Sequence, residues 1–366
     1  AAGMIVAGLW QDKVGPRLVA SVGGLLLALG CLVAGLNADT LSGLIVGYGL
    51  IAGVGVGFAY VTPIAMCIKW FPDKRGFIVG LAVMGFGVGP LLFGPLIEAL
   101  IGADPAAFAQ TIPRTFFVLA AMFAIGVTGA AQFYRVPPPG WKPAGWVPPT
   151  SRTAGRELPP SATLGTWQFY ALWLLYFLGT SVGLTAIGEA SPLLKQMAGP
   201  GSILSAGAAL GVMSIFNGAG RIGWGAVSDR FGRKPAVFGM CAGSILACVA
   251  FLRAPSGFAP LLVGLCLAAF CYGGYLALMP SFTADYFGPR SVGANYGLLF
   301  TAWGVCGFVV PGYFAGIMDA ARAAGDVAGG KNQVYLTLAA LSLAGAVVTA
   351  CLRSPVRPPG EAPPLH

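Results

Sequence analysis

The chain has 366 residues, of which 57% are hydrophobic and only 9% charged, and its mean hydropathy is +0.80. A soluble domain carries about a quarter charged residues, so a soluble enzyme is excluded on composition. The formal charge of +9 does not point to nucleic acid, because the cations sit in short segments between apolar runs, where membrane topology signals belong.

In chain order, Ala1–Trp10 reads as the tail of a helix and not as a signal peptide, since it has no charged leading region and no cleavage signal. Apolar runs long enough to span roughly 30 Å of hydrocarbon follow at Arg17–Leu36, Leu41–Cys67, Phe77–Ile101, Thr115–Tyr134 and Trp167–Ala190. They continue at Ser202–Trp224, Ala236–Leu252, Phe258–Ala284, Gly293–Met318 and Val334–Leu352. The runs lack the strand-like alternation of a barrel, so each reads as a transmembrane helix. Between Arg135 and Leu164 the chain turns Pro-rich and polar, as a linker does. The expected organisation is an N-terminal bundle (1–134), a linker (135–165), a C-terminal bundle (166–353) and a tail (354–366).

The two halves share a motif. Gly8-Leu9-Trp10-Gln11-Asp12-Lys13-Val14-Gly15-Pro16-Arg17 recurs as Gly225-Ala226-Val227-Ser228-Asp229-Arg230-Phe231-Gly232-Arg233-Lys234, each of the form GxxxD(K/R)xGx(R/K). Each copy reads as a ten-residue turn between helices, and two copies at equivalent places make an internal repeat. If loops alternate sides, both copies share a face with Lys69–Arg75, the linker, Arg290 and the tail. Of the 21 Lys+Arg, only Arg114, Lys195, Arg253, Arg322 and Lys331 fall on the other face and Arg221 in the membrane, so the first face reads as cytoplasmic. Counting back from the first motif calls for one further helix before residue 1, hence a parent of two six-helix bundles with the first helix and part of the second absent here.

Arg221 stands alone in an apolar run. Eight residues separate it from Asp229, which places it roughly 12 Å below the polar turn and near the bilayer midplane. A cation there costs about 2.5–3.5 kcal/mol on insertion scales, so it must face a cavity or a partner. It either binds an anionic substrate carboxylate or bridges helix carbonyls. Asn217 lies one turn away on the same face, where it can reach the same ligand or hydrogen-bond a neighbouring helix. Tyr60 lies at a similar depth, and Tyr272 stands beside Gly273 and Gly274. Phe86, Phe300 and Trp303 either form the apolar walls of a site or simply pack. The eight cysteines lie in or beside apolar runs without a CxxC pair, and the single histidine is His366. No metal site, cofactor or histidine chemistry is expected, and the Gly-rich stretches at 53–57 and 85–90 read as helix contacts, not nucleotide loops.

These residues resemble a family. The paired motif is similar to that of the major facilitator superfamily. The run from Trp70 to Gly85 resembles the fifth-helix signature of monocarboxylate transporters, departing from it at Trp70, Asp73, Ile78 and Met84. Lys69–Gly89 and Asn295-Tyr296-Gly297 also resemble bacterial oxalate:formate antiporters. The resemblance covers essentially the whole chain and implies a bacterial monocarboxylate transporter of the L-lactate kind. It further implies an all-α fold of two pseudosymmetric six-helix bundles, in the bacterial cytoplasmic membrane and monomeric. Two departures matter. The antiporters carry a lysine where this chain has Trp303, so one arginine is matched to one carboxylate. Animal monocarboxylate transporters carry an aspartate where this chain has Asn217, which cannot hold a proton.

The expected function is secondary active transport of a small monocarboxylate such as L-lactate or pyruvate by alternating access, with a proton as co-substrate and a lipid bilayer as surroundings. Arg221, Asn217, Tyr60, Tyr272, Phe86, Phe300 and Trp303 are the expected substrate site. Asp12, Arg17, Asp229, Arg230 and Arg233 are the expected gating residues. Carboxylate antiport and a non-transporting anion receptor are the alternatives.

Overall fold

Long apolar runs leave the backbone no water to bond to, so each must satisfy its own amides as a helix. The computed structural model describes residues 1–138, 140–146, 157–197 and 205–353, and the regular structure among them is helical throughout. The elements are α1 (Ala2–Val14), α2 (Pro16–Leu36), α3 (Leu41–Trp70), α4 (Arg75–Ile101), α5 (Phe108–Ala131), α6 (Trp167–Met197) and α7 (Ala206–Phe231). They continue as α8 (Arg233–Leu252), α9 (Phe258–Phe287), α10 (Val292–Ala323) and α11 (Val327–Cys351). Part of the linker and the tail expected at 354–366 lie outside the described residues.

Nine of these helices are long and apolar enough to cross a membrane. The thirteen-residue α1 is too short, and α7 is not among the nine either. Its Asn217, Arg221, Ser228, Asp229 and Arg230, together with many glycines, dilute its hydropathy. It is nevertheless central, packed between α4 and α9.

The repeated motif is not a ten-residue turn. Helix α1 runs on to Val14 and α2 starts at Pro16; α7 runs on to Phe231 and α8 starts at Arg233. Each turn is one glycine, Gly15 at φ 85° and Gly232 at φ 96°, a left-handed conformation that side chains resist. The Asp and the cation of each motif therefore stand on the last turns of a helix. Several other helices overrun the apolar runs, because amphipathic ends can extend past the hydrocarbon: α6 reaches Met197, α9 Phe287 and α10 Ala323. Helix α5 begins earlier than expected, at Phe108, and ends at Ala131, with Gln132 and Phe133 forming a turn.

A second repeat becomes visible once the helices are placed. Pro63, Pro72, Gly76 and Gly80 across α3–α4 match Pro280, Pro289, Gly293 and Gly297 across α9–α10 in spacing. The two repeats meet. A methyl on Gly225 of α7 would collide with the Gly76 carbonyl of α4, and one on Gly8 of α1 with the Gly293–Ala294 backbone of α10. The two bundles are thus joined by two equivalent glycine crossings, where helices approach to backbone contact.

Gly225→Val should force α7 from α4 and cost about 1–3 kcal/mol, as overpacking does. A clearly lowered melting temperature in detergent is expected, while Gly85→Ala, with open space around its Cβ position, leaves it nearly unchanged.

Candidate functional site: a buried arginine under a ring of tyrosines

Arg221 is 3% exposed, and its Nε donates to Asn217 Oδ1 at 3.2 Å. Its Nη1 is buried with no hydrogen-bond partner. The helix is held there by glycines on both sides. A methyl on Gly80 of α4 would strike the Arg221 carbonyl, and one on Gly273 of α9 the Asn217 carbonyl. Among the described residues Arg221 is the only buried charged side chain; no carboxylate is buried with it.

Tyr60 on α3 and Tyr272 on α9 are both 6% exposed and neighbour the guanidinium. The Tyr60 hydroxyl is buried without a hydrogen bond of good geometry. The Tyr272 hydroxyl accepts from Trp303 Nε1 at 2.8 Å. Phe300 on α10 lies at the centre of the aromatic groups, with ring centroids 5.6 Å from Tyr60, 6.0 Å from Tyr176, 5.6 Å from Tyr296 and 4.9 Å from Trp303. Phe86 meets Tyr60 edge-on at 4.8 Å. The structure thus brings together all seven residues expected at the site, drawn from α3, α4, α7, α9 and α10.

Two members were not expected. Tyr176 on α6 and Tyr296 on α10 are fully buried, with their hydroxyls 3.3 Å apart. In the sequence both are tyrosines in apolar runs, which gives no sign of a polar neighbour. Tyr296 does lie within the Asn295-Tyr296-Gly297 segment, a signal that could have marked it.

The charge-rich face carries an ion network. Asp229 on α7 accepts from the backbone N–H of Gly76 at 3.0 Å and of Phe77 at 2.8 Å, so it caps α4 of the opposite bundle at the positive end of its dipole. Arg233 binds Asp229 at 2.7 Å and Asp285 at 2.8 Å, and Arg75 of α4 reaches Asp285 at 2.8 Å. Of the expected gating residues, only Asp229 and Arg233 stand in this network. Asp12 pairs with Lys69 at 3.2 Å within the first bundle, Arg17 donates to Gln132 at 2.8 Å, and Arg230 lies over the Phe231 ring. Arg75 and Asp285 were not expected, because only the fold brings these two distant residues together.

The linker ties into the same face. Trp141 Nε1 donates to the Trp70 carbonyl at 3.0 Å, and Leu158 N to the Phe287 carbonyl at 2.9 Å, equivalent positions of the second repeat. Glu157 accepts from Arg290 N at 2.9 Å, and burial pushes its carboxyl up from the ordinary range against the opposing pull of Arg290, Arg75 and Lys69.

The family model described as Major Facilitator Superfamily matches residues 1–311. The chain belongs to that superfamily. Among curated members, it is 31% identical to the oxalate:formate antiporter of Oxalobacter formigenes over 304 residues, 81% of this chain and 67% of the relative. It is 28% identical to apicoplast pyruvate carrier 1 of Toxoplasma gondii over 357 residues, 81% of this chain and 64% of the relative. The chain therefore spans about two thirds of the length of these two relatives. The crystal structure of the E. coli fucose:proton symporter FucP superposes with a TM-score of 0.67 at 16% identity, covering 95% of this chain and 87% of that one. That of the human organic anion transporter MFSD10 gives 0.68 at 18%, covering 94% and 80%. These two likenesses show the superfamily's fold.

In this superfamily member, Asp285→Asn removes a charge that two arginines share across the bundle boundary. Thiol labelling of a Ser228→Cys reporter, read by mass spectrometry, should rise several-fold in that background. Arg322→Gln, at the exposed Asp319 pair, should leave it unchanged.

Proposed function

We propose that this protein carries a small monocarboxylate, of the L-lactate or pyruvate kind, across the membrane by alternating access. The observation that supports this most directly is the imbalance of donors around Arg221. Nη1 makes no hydrogen bond of good geometry, the Tyr60 hydroxyl has the Arg221 and Tyr296 side chains beside it, and Asn217 has spent its acceptor oxygen on Arg221, leaving its NH2 free to donate. A site with several donors and no buried acid suits an anion. One guanidinium suits one carboxylate, which it can take in a bidentate grip. Phe86, Phe300 and Trp303 leave only apolar walls for the rest of the molecule, which favours a short chain.

In this reading the anion enters from the side opposite the charge-rich face and settles on Arg221. The bundles then rock about the two glycine crossings, the Asp229–Arg233–Asp285–Arg75 network opens, and the substrate leaves into the cytoplasm. A proton accompanies the anion, so that little net charge crosses. A second reading, carboxylate exchange, is favoured by the lack of a buried acid beside Arg221 among the described residues. With nothing to neutralise it, the empty arginine would return only with another anion. Pyruvate carriage and oxalate:formate exchange are named for the two relatives above, and of those substrates the lone cation suits the monocarboxylates.

The test is uptake of labelled L-lactate and pyruvate into proteoliposomes with an acid-outside gradient, with no gradient, and with unlabelled carboxylate preloaded. Gradient-driven uptake that falls at least 100-fold in Arg221→Gln is the expected result. Uptake that needs preloaded anion establishes exchange instead, and uptake unaffected by Arg221→Gln sinks the site.

A further inference from the structure

Trp303 has an indole N–H, which can only donate, and it donates to the Tyr272 oxygen at 2.8 Å. A phenol oxygen engaged in this way must turn its own single hydrogen elsewhere. Its polar neighbours are Arg221, which cannot accept, the Tyr60 and Tyr176 hydroxyls and the Cys306 thiol. Among the described residues no carbonyl or side chain takes that hydrogen. Tyr272 is also held firmly. Its ring fills the space beside Gly183 of α6, where an added methyl would collide with it, and Phe300 packs on the Trp303 ring at 4.9 Å with a 33° tilt.

We infer that Trp303 is a positioning residue that fixes Tyr272 as a hydrogen-bond donor aimed at the carboxylate on Arg221. This rests on the carboxylate reading of that site. Without the indole N–H, the phenol can rotate and present lone pairs to the anion, which repel it. Trp303 thereby acts on affinity through Tyr272 and not as a wall alone. The geometry adds the Tyr272 hydroxyl to the donors of Arg221, Asn217 and Tyr60, and the residue that fixes it, Trp303, is of a type that sequence reasoning treats as apolar packing.

The experiment is a double-mutant cycle on the full-length protein in proteoliposomes, with labelled L-lactate as probe. Trp303→Phe and Tyr272→Phe are each expected to raise the half-saturating concentration about 5–10-fold, with the maximal rate within about two-fold of wild type. The double variant should be no weaker than Tyr272→Phe alone, because the indole acts only through the phenol. Losses that add in the double variant, or that fall on the maximal rate, mean that Trp303 merely packs and overturn the inference. Should Trp303→Phe not fold, β-(3-benzothienyl)alanine at position 303 keeps the ring's size, replaces N–H by sulfur and carries the same test. Arg221→Gln in parallel separates the two claims. If it retains uptake, the carboxylate site itself fails; if it abolishes uptake and the cycle is additive, only the role of Trp303 falls.

Discussion

A guanidinium held in the middle of a membrane protein with no carboxylate beside it among the described residues is an electrostatic debt, and the rest of the site can be understood from it. Burying an unpaired charge costs several kcal/mol in real proteins. Among the described residues Arg221 has only neutral company: the Asn217 amide and the hydroxyls of Tyr60 and Tyr272. These groups orient the guanidinium without neutralising it. An anion that binds there receives the favourable interaction that the protein withholds from itself, so affinity and ligand-free stability are set against each other.

Glycine is what makes the arrangement possible. Helix α7 is too polar to be held in place by apolar burial alone, and it lies against α4 and α9 at backbone distance through Gly80, Gly87, Gly220 and Gly273. The equivalent contact of α1 with α10 through Gly8 gives the two halves matching crossings. The symmetry stops at charge. Asp229 caps α4, and Asp285, which Arg233 also holds, takes Arg75 of α4 across the boundary, while Asp12 stays with Lys69 in its own bundle and Pro16 occupies the place of Arg233. Among the described residues, one crossing carries ion pairs and the other is a close glycine contact without one.

Much of this was legible in the sequence, for reasons that show why the rest was not. The apolar runs and the doubled GxxxD(K/R)xGx(R/K) motif gave the helices and the two halves, because hydropathy and spacing are local properties. Arg221 and Asn217 stood out as polar residues where lipid forbids them, and their i, i+4 spacing put them on one face. The single-glycine turn was hidden, since a polar helix end and a loop share the same composition. Asp285 and Arg75 were hidden because their pairing depends on how two bundles meet. Tyr176 and Tyr296 were hidden because a tyrosine that bonds a tyrosine looks like packing until both are placed. In the sequence Trp303 is a wall or simple packing for the same reason, and its N–H acquires meaning only from the position of Tyr272.

The most direct measurement is the melting temperature of the purified protein and of Arg221→Gln, each with and without L-lactate and its neutral amide. The account predicts that Arg221→Gln melts higher than wild type without ligand, having shed an unpaired buried charge. It also predicts that lactate stabilises wild type alone and that the amide stabilises neither. A variant that melts lower and still responds to lactate, or an amide as effective as the acid, would contradict the claim that Arg221 awaits an anion.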